Sequence, residues 1–384
     1  MKTFHLPTLL MALLGASLIA GLAGCSPSVP DTLKVGMLVS QTGPYGLRGK
    51  DLLNGAQLAA DEINAAGYKI GGKTVKVEIV AVDDKGEIDG AKAGTETLLG
   101  EGVTAIIGPL NTPQAVPVIP MIAAKGIPHF FTTTAANLVQ LGKGNAFRLL
   151  ANDDLQGKAM AVFANEDLHA QRVATIVEKG DYGRGLNKAF MASTPKAAER
   201  VVVSMEVGSK DLITTEMANQ IKAANVDVVV LFAREPQLKS LFASLKEVGH
   251  TGVTVLGTNV VRNKNVATLP IPVKAMYATA TAIDASEFPN GQAFLNAFAA
   301  KYKSAPVWGA HYAYDCVYAL TDAAHRAGTL QSEALLTTLK KIEPITRVNQ
   351  QMRFTETGEQ KYPNIGVYKV ENGVWAVQTV SASW

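Results

Sequence analysis

Residues 33–39 read Leu33-Lys34-Val35-Gly36-Met37-Leu38-Val39, a helical stretch follows at 52–64, and a second apolar run comes at Val75-Lys76-Val77-Glu78-Ile79-Val80-Ala81-Val82. The outer runs are rich in β-branched residues and the middle one carries apolar residues at helical spacing, so the segment reads as βαβ. The pattern continues with a helix at 91–100, a strand at 105–107, a helix at 114–124 and a strand at 127–131. Connections of helix length between strands imply parallel neighbours and right-handed crossovers. A second series starts near Asn152, with helices at 154–166, 186–192, 214–224 and 236–248 alternating with strands at 173–177, 201–207, 226–232 and 253–256. Val228-Val229-Val230-Leu231 is apolar on both faces, as a strand covered by helices on each side must be. Both halves read as α/β, doubly wound sheets.

Beyond a strand at 276–280, the spacing predicts helices at 292–302, 310–327 and 332–341, which must pack on something already built. Asn372-Gly373, between β-rich runs at 367–370 and 374–377, predicts a two-residue hairpin because both turn residues tolerate positive φ.

Before this pattern, Lys2 precedes an apolar run over 9–20, and Leu22-Ala23-Gly24-Cys25 resembles a bacterial lipobox. The run is too short for a spanning helix, so residues 1–24 read as a cleaved signal and 25–32 as a tether. Cys25 would carry lipid, and several acyl chains at about 0.8 kcal/mol per buried CH₂ hold a protein far better than one. Of the 384 residues, 360 then remain, more than one core normally serves. The composition is 47% hydrophobic and 18% charged with a net charge of +3, which points away from disorder and from a nucleic-acid partner. With Cys25 lipidated, Cys316 stands alone in an apolar pattern; no internal disulfide forms, and it reads as a small buried hydrophobe.

Motifs for catalysis are weak. Gly67-Tyr68-Lys69-Ile70-Gly71-Gly72-Lys73-Thr74 fits a phosphate-loop pattern literally, but it follows a helix and enters a strand, the reverse of the order that brings amides and a helix dipole to a phosphate. It reads as a connecting turn. There is no G-x-S-x-G, no H-E-x-x-H and no cysteine–histidine cluster for zinc, so no metal site is expected. The pairs Asp83-Asp84 and Asp153-Asp154 fall at element ends, where capping and solvation account for them.

Open α/β sheets bind ligands at the carboxyl ends of their strands. Three loops of the first half sit there. Thr42-Gly43-Pro44-Tyr45-Gly46 follows the first strand. Gly108-Pro109-Leu110-Asn111-Thr112-Pro113 follows the third, with Thr112 expected as an N-cap and Pro113 as the first helical residue, so that its amides face an anion. Thr132-Thr133-Thr134-Ala135 follows the fourth and offers three hydroxyls.

These residues bring a family into view. From Lys34-Val35-Gly36 to Thr42-Gly43-Pro44, then Asn54-Gly55-Ala56, Ala60-Asp61-Glu62-Ile63-Asn64, Val82-Asp83-Asp84, Ile107-Gly108-Pro109, Asp181-Tyr182-Gly183-Arg184-Gly185 and Ala313-Tyr314-Asp315, the chain resembles the periplasmic leucine/isoleucine/valine-binding proteins, receptors of branched-chain-amino-acid-type ABC importers. The resemblance implies a type I periplasmic binding protein: two Rossmann-like lobes joined by three hinge crossovers near Leu150, Ala280 and Val348. The N-terminal lobe would hold 33–149 and 281–347, and the C-terminal lobe 150–280 and 348–384. It also implies that Thr112, Thr133 and Ala135 occupy ligand carboxylate and amine contacts, and that Tyr182 reaches in from the opposite lobe. Where such receptors carry an acid for the ligand ammonium, this chain reads Gly257-Thr258-Asn259; where they often carry aromatics, it has Arg48 and Arg234.

An arginine in a cleft needs an anion, and its fork fits a carboxylate. The expected ligand is therefore richer in carboxylate than a branched-chain amino acid, unless Arg48 and Arg234 pair with Glu235, Asp84 or solvent at the rim. Trp308 either lines the pocket or packs the hinge. The expected function is that of a monomeric, lipid-tethered solute receptor outside the cytoplasm, handing a small amino acid or organic carboxylate to a permease and ATPase with no cofactor and no catalysis. A sensor lobe for a signalling partner is the alternative.

Overall fold

A computed structural model of the chain describes residues 29–341, 346–349 and 352–384; the leader at 1–24 and Cys25 lie outside the described residues. The first sheet is built from β1 (Thr32–Val39), and after α1 (Gly46–Ala65) comes a small hairpin of β2 (Lys69–Ile70) and β3 (Lys73–Thr74). Gly71 and Gly72 turn that hairpin at φ 56° and 84°, so the phosphate-loop look-alike is a connecting turn. Then follow β4 (Lys76–Asp83), α2 (Ile88–Gly100), β5 (Ala105–Ile107), α3 (Thr112–Ala123), β6 (His129–Phe131), α4 (Leu138–Leu141) and β7 (Ala146–Arg148). The sheet runs β4-β1-β5-β6-β7, its strands all parallel.

The second sheet follows α5 (Asp153–Val162) with β8 (Val173–Glu178), α6 (Asp181–Ser193), α7 (Ala197–Arg200), β9 (Val201–Val207), α8 (Thr215–Ala223), β10 (Val228–Phe232), α9 (Glu235–Glu247), β11 (Thr254–Gly257), α10 (Lys264–Ala267) and β12 (Ala275–Ala280). Late in the chain come α11 (Gly291–Tyr302), α12 (Ala310–Ala327), α13 (Ser332–Lys341), β13 (Ile365–Glu371) and β14 (Val374–Ser381). This sheet runs β9-β8-β10-β11-β12-β13-β14, parallel as far as β12 and antiparallel beyond it. The β13–β14 turn is Asn372-Gly373, at φ 53° and 78°. Every residue of β10 is buried, as the run of valines requires of a strand with helices on both faces.

The core of the first lobe explains where the late helices go. Leu33, Val35 and Met37 of β1 share one cluster with Ala313, Val317 and Leu320 of α12 and with Leu335 and Leu339 of α13, so these helices return to the first sheet. Cys316 is buried there without a disulfide. Residues 352–360 also pack on the first lobe, against the expectation that the chain leaves it near Val348. The Phe354 ring lies 4.9 Å from Phe147 and 6.1 Å from Phe130, and Arg148 N donates to Gly358 O at 2.9 Å. The aromatic contact and the backbone bond hold this segment against β7, and the third crossing comes after it, before β13.

Candidate functional site

In each sheet the strand order reverses once: β1 lies between β4 and β5, and β8 between β9 and β10. The crevice beyond such a reversal is where open α/β sheets bind ligands. The loops after β1, β5 and β6 leave the carboxyl edge of the first sheet, and those after β8, β10 and β11 the carboxyl edge of the second.

The loop after β1 is tied down by the acid pair at the end of β4. Asp83 accepts from Gln41 N and Lys85 N, each at 2.8 Å, and from Thr42 Oγ1 at 2.6 Å; Asp84 accepts from Ser40 Oγ at 2.6 Å and Gly86 N at 2.8 Å. These carboxylates are structural. After β5, Gly108 sits at φ 111°, and a Cβ there would meet Leu38 O at 1.8 Å, so only glycine lets this loop leave beside β1. The helix that follows begins one residue earlier than expected: Asn111 is the N-cap and Thr112 the first helical residue. The Asn111 side chain makes no cap bond, and its Nδ2 is buried without a partner.

The threonine loop after β6 is held from below by Arg148, whose side chain is 0% exposed. Its guanidinium donates to Thr133 O, to Ala135 O at 2.8 Å and to Ala136 O at 3.0 Å, and pairs with Glu359 at 2.8 Å. With those carbonyls engaged, the N–H groups of Thr133, Thr134 and Ala135 make no backbone hydrogen bond among the described residues. The hydroxyls of Thr132 and Thr133 are buried and unpartnered as well.

At the start of the second series, Asp153 and Gln156 lie one turn apart on α5, and Asp153 N donates to Thr134 O at 2.8 Å. Asp153 is 4% exposed, so solvation does not account for it; its Oδ1 has no partner, and burial pushes its carboxyl up to about 6. Gln156 donates to Asn259 Oδ1 at 3.1 Å and Thr279 Oγ1 at 2.8 Å, leaving its own Oε1 buried and unpartnered. Tyr182 lies within hydrogen-bonding distance of Thr258 Oγ1 and of Asn259 Oδ1, 2.9 Å in each case, and burial, followed by the nearby Asp153, raises its pKa. Gly183 permits this placement, since a Cβ there would meet Glu178 O at 2.3 Å.

The two expected arginines differ. Arg234 donates to Glu178 Oε1 at 3.1 Å with its side chain 48% exposed, so its charge is already answered, by a partner other than those anticipated. Arg48 lies over the Trp308 ring at 5.6 Å and has no carboxylate partner among the described residues. Burial lowers its pKa; the neighbouring Tyr45 acts against that and Arg262 adds to it. Arg262 itself is paired through both nitrogens with Asp284, at 2.8 and 3.0 Å.

The structure thus brings Thr132, Thr133, Thr134 and Ala135 together over Arg148, and Tyr182 together with Asn259. Arg148, Gln156 and Glu178 were not singled out in the sequence, and Asp153 was set aside as a cap. The available signal was position: Arg148 ends β7 and Asp153 opens the next helix, both at a carboxyl edge. No group of three or more potential metal ligands occurs among the described residues.

A family model described as periplasmic binding protein matches residues 32–374. The Leu/Ile/Val-binding protein BraC3 of Rhizobium johnstonii is 29% identical over 362 residues, spanning 94% of this chain and 97% of that one. The branched-chain amino acid substrate-binding protein LivJ of Streptococcus pneumoniae, solved with isoleucine, superposes with a TM-score of 0.74 at 25% identity, covering 91% of this chain and 99% of that one. A solute-binding protein of Rhodopseudomonas palustris solved with 3,4-dihydroxybenzoic acid gives 0.74 at 20% identity, covering 92% and 98%, a likeness of fold.

Proposed function

The chain belongs to the periplasmic binding protein family, and from that premise we propose that it is the extracytoplasmic solute receptor of an ABC importer of the branched-chain amino acid type. It binds a small amino acid or organic carboxylate between the lobes. The observation that carries this reading is the set of unsatisfied buried groups at the carboxyl ends of β5 and β6: Asn111 Nδ2 and the Thr132 and Thr133 hydroxyls. Buried polar groups without partners cost about 1–3 kcal/mol each, and a bound carboxylate relieves that cost. Backbone amides held open by Arg148 add donors of the kind a carboxylate takes.

In this reading the lobes comprise 33–149 with 281–360, and 150–280 with 361–384, and they close about the crossings as a hinged trap. Closure removes the ligand from water, so any ligand charge left unpaired weighs against binding, and selectivity follows. The receptor is tethered by lipid on Cys25, presents its closed form to a permease and ATPase, acts as a monomer and turns nothing over. Arg48 contributes positive charge at the cleft, whereas Arg234, bound to Glu178, contributes by sharing its guanidinium.

A melting screen of the protein without its leader, against amino acids, dicarboxylates and aromatic acids, tests the reading. A true ligand at 100 times its Kd adds about 2.7 kcal/mol of stability, a shift easily read. A screen in which no compound of these classes moves the transition would refute it. Lipid on Cys25 is checked by mass spectrometry of the membrane-extracted protein.

A further inference from the structure

We propose that the Arg262–Asp284 ion pair is a latch between the two lobes, holding the closed form and so setting the affinity for the solute without touching it. This rests on the two-lobe receptor reading above and adds the device that governs its closure.

The two partners belong to different lobes. Arg262 lies in the turn after β11, at the carboxyl edge of the second sheet, where Val261 N donates to Thr258 O at 3.1 Å and Arg262 N to Asn259 O at 3.3 Å. Asp284 comes just after the second crossing and packs with the first lobe. Its neighbours Ala282 and Ala285 belong to the core cluster of β1 and α12, and Ile283 N donates to the Tyr312 hydroxyl of α12 at 3.1 Å. Across this boundary the guanidinium makes two bonds, Nη1 to Asp284 Oδ2 at 3.0 Å and Nη2 to Asp284 Oδ1 at 2.8 Å. Tyr368 of β13, in Arg262's own sheet, supports it from one side, with the guanidinium carbon 4.1 Å from the ring centroid. The Arg262 side chain is 12% exposed and that of Asp284 48%. A forked pair on a stacked guanidinium is held in one geometry, unlike an ordinary surface pair of two long, loose side chains.

The charges nearby explain why closure needs this pair. Arg48, on α1 of the first lobe, has its pKa lowered first by burial and then by Arg262, with Tyr45 acting against both. Closing the cleft therefore brings guanidiniums of opposite lobes toward one another, an approach that is unfavourable away from water. Asp284 is the carboxylate that answers Arg262. The other titratable groups that sense Asp284 are His311, Tyr312 and Tyr368, and Tyr368 senses Glu287 as well. None of them adds a cation, since burial pushes His311 down to about 3 and keeps it neutral. The pair is also connected to the cleft. The turn that bears Arg262 carries Thr258 and Asn259, both within hydrogen-bonding distance of the Tyr182 hydroxyl, and Asn259 accepts from Gln156. A solute seated against this turn and the latch beside it thus bias the same movement, and loss of either favours the open form.

Asp284→Asn tests this, because it removes the charge and keeps the shape at a position whose side chain makes no cap bond to the short helical turn that follows. Small-angle scattering of the ligand-free protein without its leader is expected to give a larger radius of gyration for Asp284→Asn than for the parent. Asp284→Glu, which keeps the carboxylate, is expected to return toward the parent value. For each compound that shifts the melting transition, calorimetry and stopped-flow kinetics are expected to show binding about 10-fold weaker in Asp284→Asn, mostly through faster dissociation and by the same factor for every compound. The ligand-free urea midpoint should stay close to the parent's, which separates a latch from a general support of the fold. One radius of gyration shared by all three proteins would overturn the latch. So would a changed order of preference among the compounds, which would make Asp284 a ligand contact. Failure of every compound to bind the parent would overturn the receptor reading, and the scattering comparison would still decide the latch.

Discussion

Arg148 Nε lies 2.8 Å from Glu359 Oε2, joining the last strand of the first sheet to a segment 211 positions later that returns to pack beneath it. The same guanidinium holds the carbonyls of Thr133, Ala135 and Ala136, so one ion pair, buried on its Arg148 side and 22% exposed at Glu359, fixes both the threonine loop and the late segment. Removing the fully buried Arg148 leaves three carbonyls without a donor and Glu359 without its partner, at about 2–4 kcal/mol. Arg148→Met is therefore expected to lower the urea unfolding free energy by about that much and to abolish ligand binding. Arg148→Met with Glu359→Gln should recover part of the stability and none of the affinity. Unchanged affinity in the single variant would remove Arg148 from the support of the loop.

Arg48 is expected to matter for binding and little for stability. It is partly desolvated and unpaired, so Arg48→Ala forfeits only the Trp308 contact, about 0.5–1 kcal/mol, against relief of a buried charge. Its urea midpoint should stay near that of the parent while affinity for the bound solute falls about 10-fold. Arg48→Lys should not restore affinity, since a lysine lacks the planar fork. A variant that binds as tightly as the parent would place Arg48 at the rim.

Asp315 pins the chain at 347–349 to α12, ahead of the third crossing. Its carboxylate accepts from the backbone N–H of Arg347 at 2.8 Å, Val348 at 3.0 Å and Asn349 at 2.6 Å, and from the Asn349 side chain at 2.6 Å. Burial nevertheless pushes its carboxyl up to about 6. In Asp315→Asn an NH₂ would face N–H donors, costing about 2–3 kcal/mol in stability. Faster hydrogen exchange at 347–349 is the expected sign, and unaltered protection there would contradict it.

Asp153 sets a pH dependence whose sign is opposite to that of an ordinary salt-bridged acid. Its carboxyl is at about 6 in the folded chain against an ordinary 3.8, so as pH falls the folded state takes up the proton first and gains stability between about 6 and 4. His129, buried and neutral, is lowered from 6.5 to about 4 and works the other way, losing stability over nearly the same range. Asp153→Asn removes the first effect. Without ligand, the variant should be more stable than the parent at pH 7 by about 3 kcal/mol, and the difference should vanish by about pH 4. The groups facing Asp153 are Thr134, Arg148, Asp154 and Tyr182, none of which the substitution alters. Melting temperatures across this range read the effect directly, and parallel curves would contradict it.

Patterns local in the chain carried most of the architecture. The all-apolar Val228-Val229-Val230-Leu231, the hairpin at Asn372-Gly373 and the turn at 67–74 each declare themselves through neighbours a few residues away. The threonine loop was legible for the same reason. What was not legible depends on distant partners. Arg148 is an unremarkable strand residue until Glu359 meets it, and Asp153 looks like a helix cap until burial strips it of water. Nothing near Val348 signals that Phe354 and Gly358 turn back onto the first sheet before the chain crosses.

The central claim is that a small amino acid or carboxylate is taken up between the two lobes by the loops after β5 and β6. Its most direct test is isothermal titration of the mature protein beside a Thr133→Ala, Thr112→Ala double variant, using the compounds above. The account predicts one saturable site per chain in the parent, at least about 10-fold weakened in the variant. Equal heats and equal affinity in both proteins would contradict it.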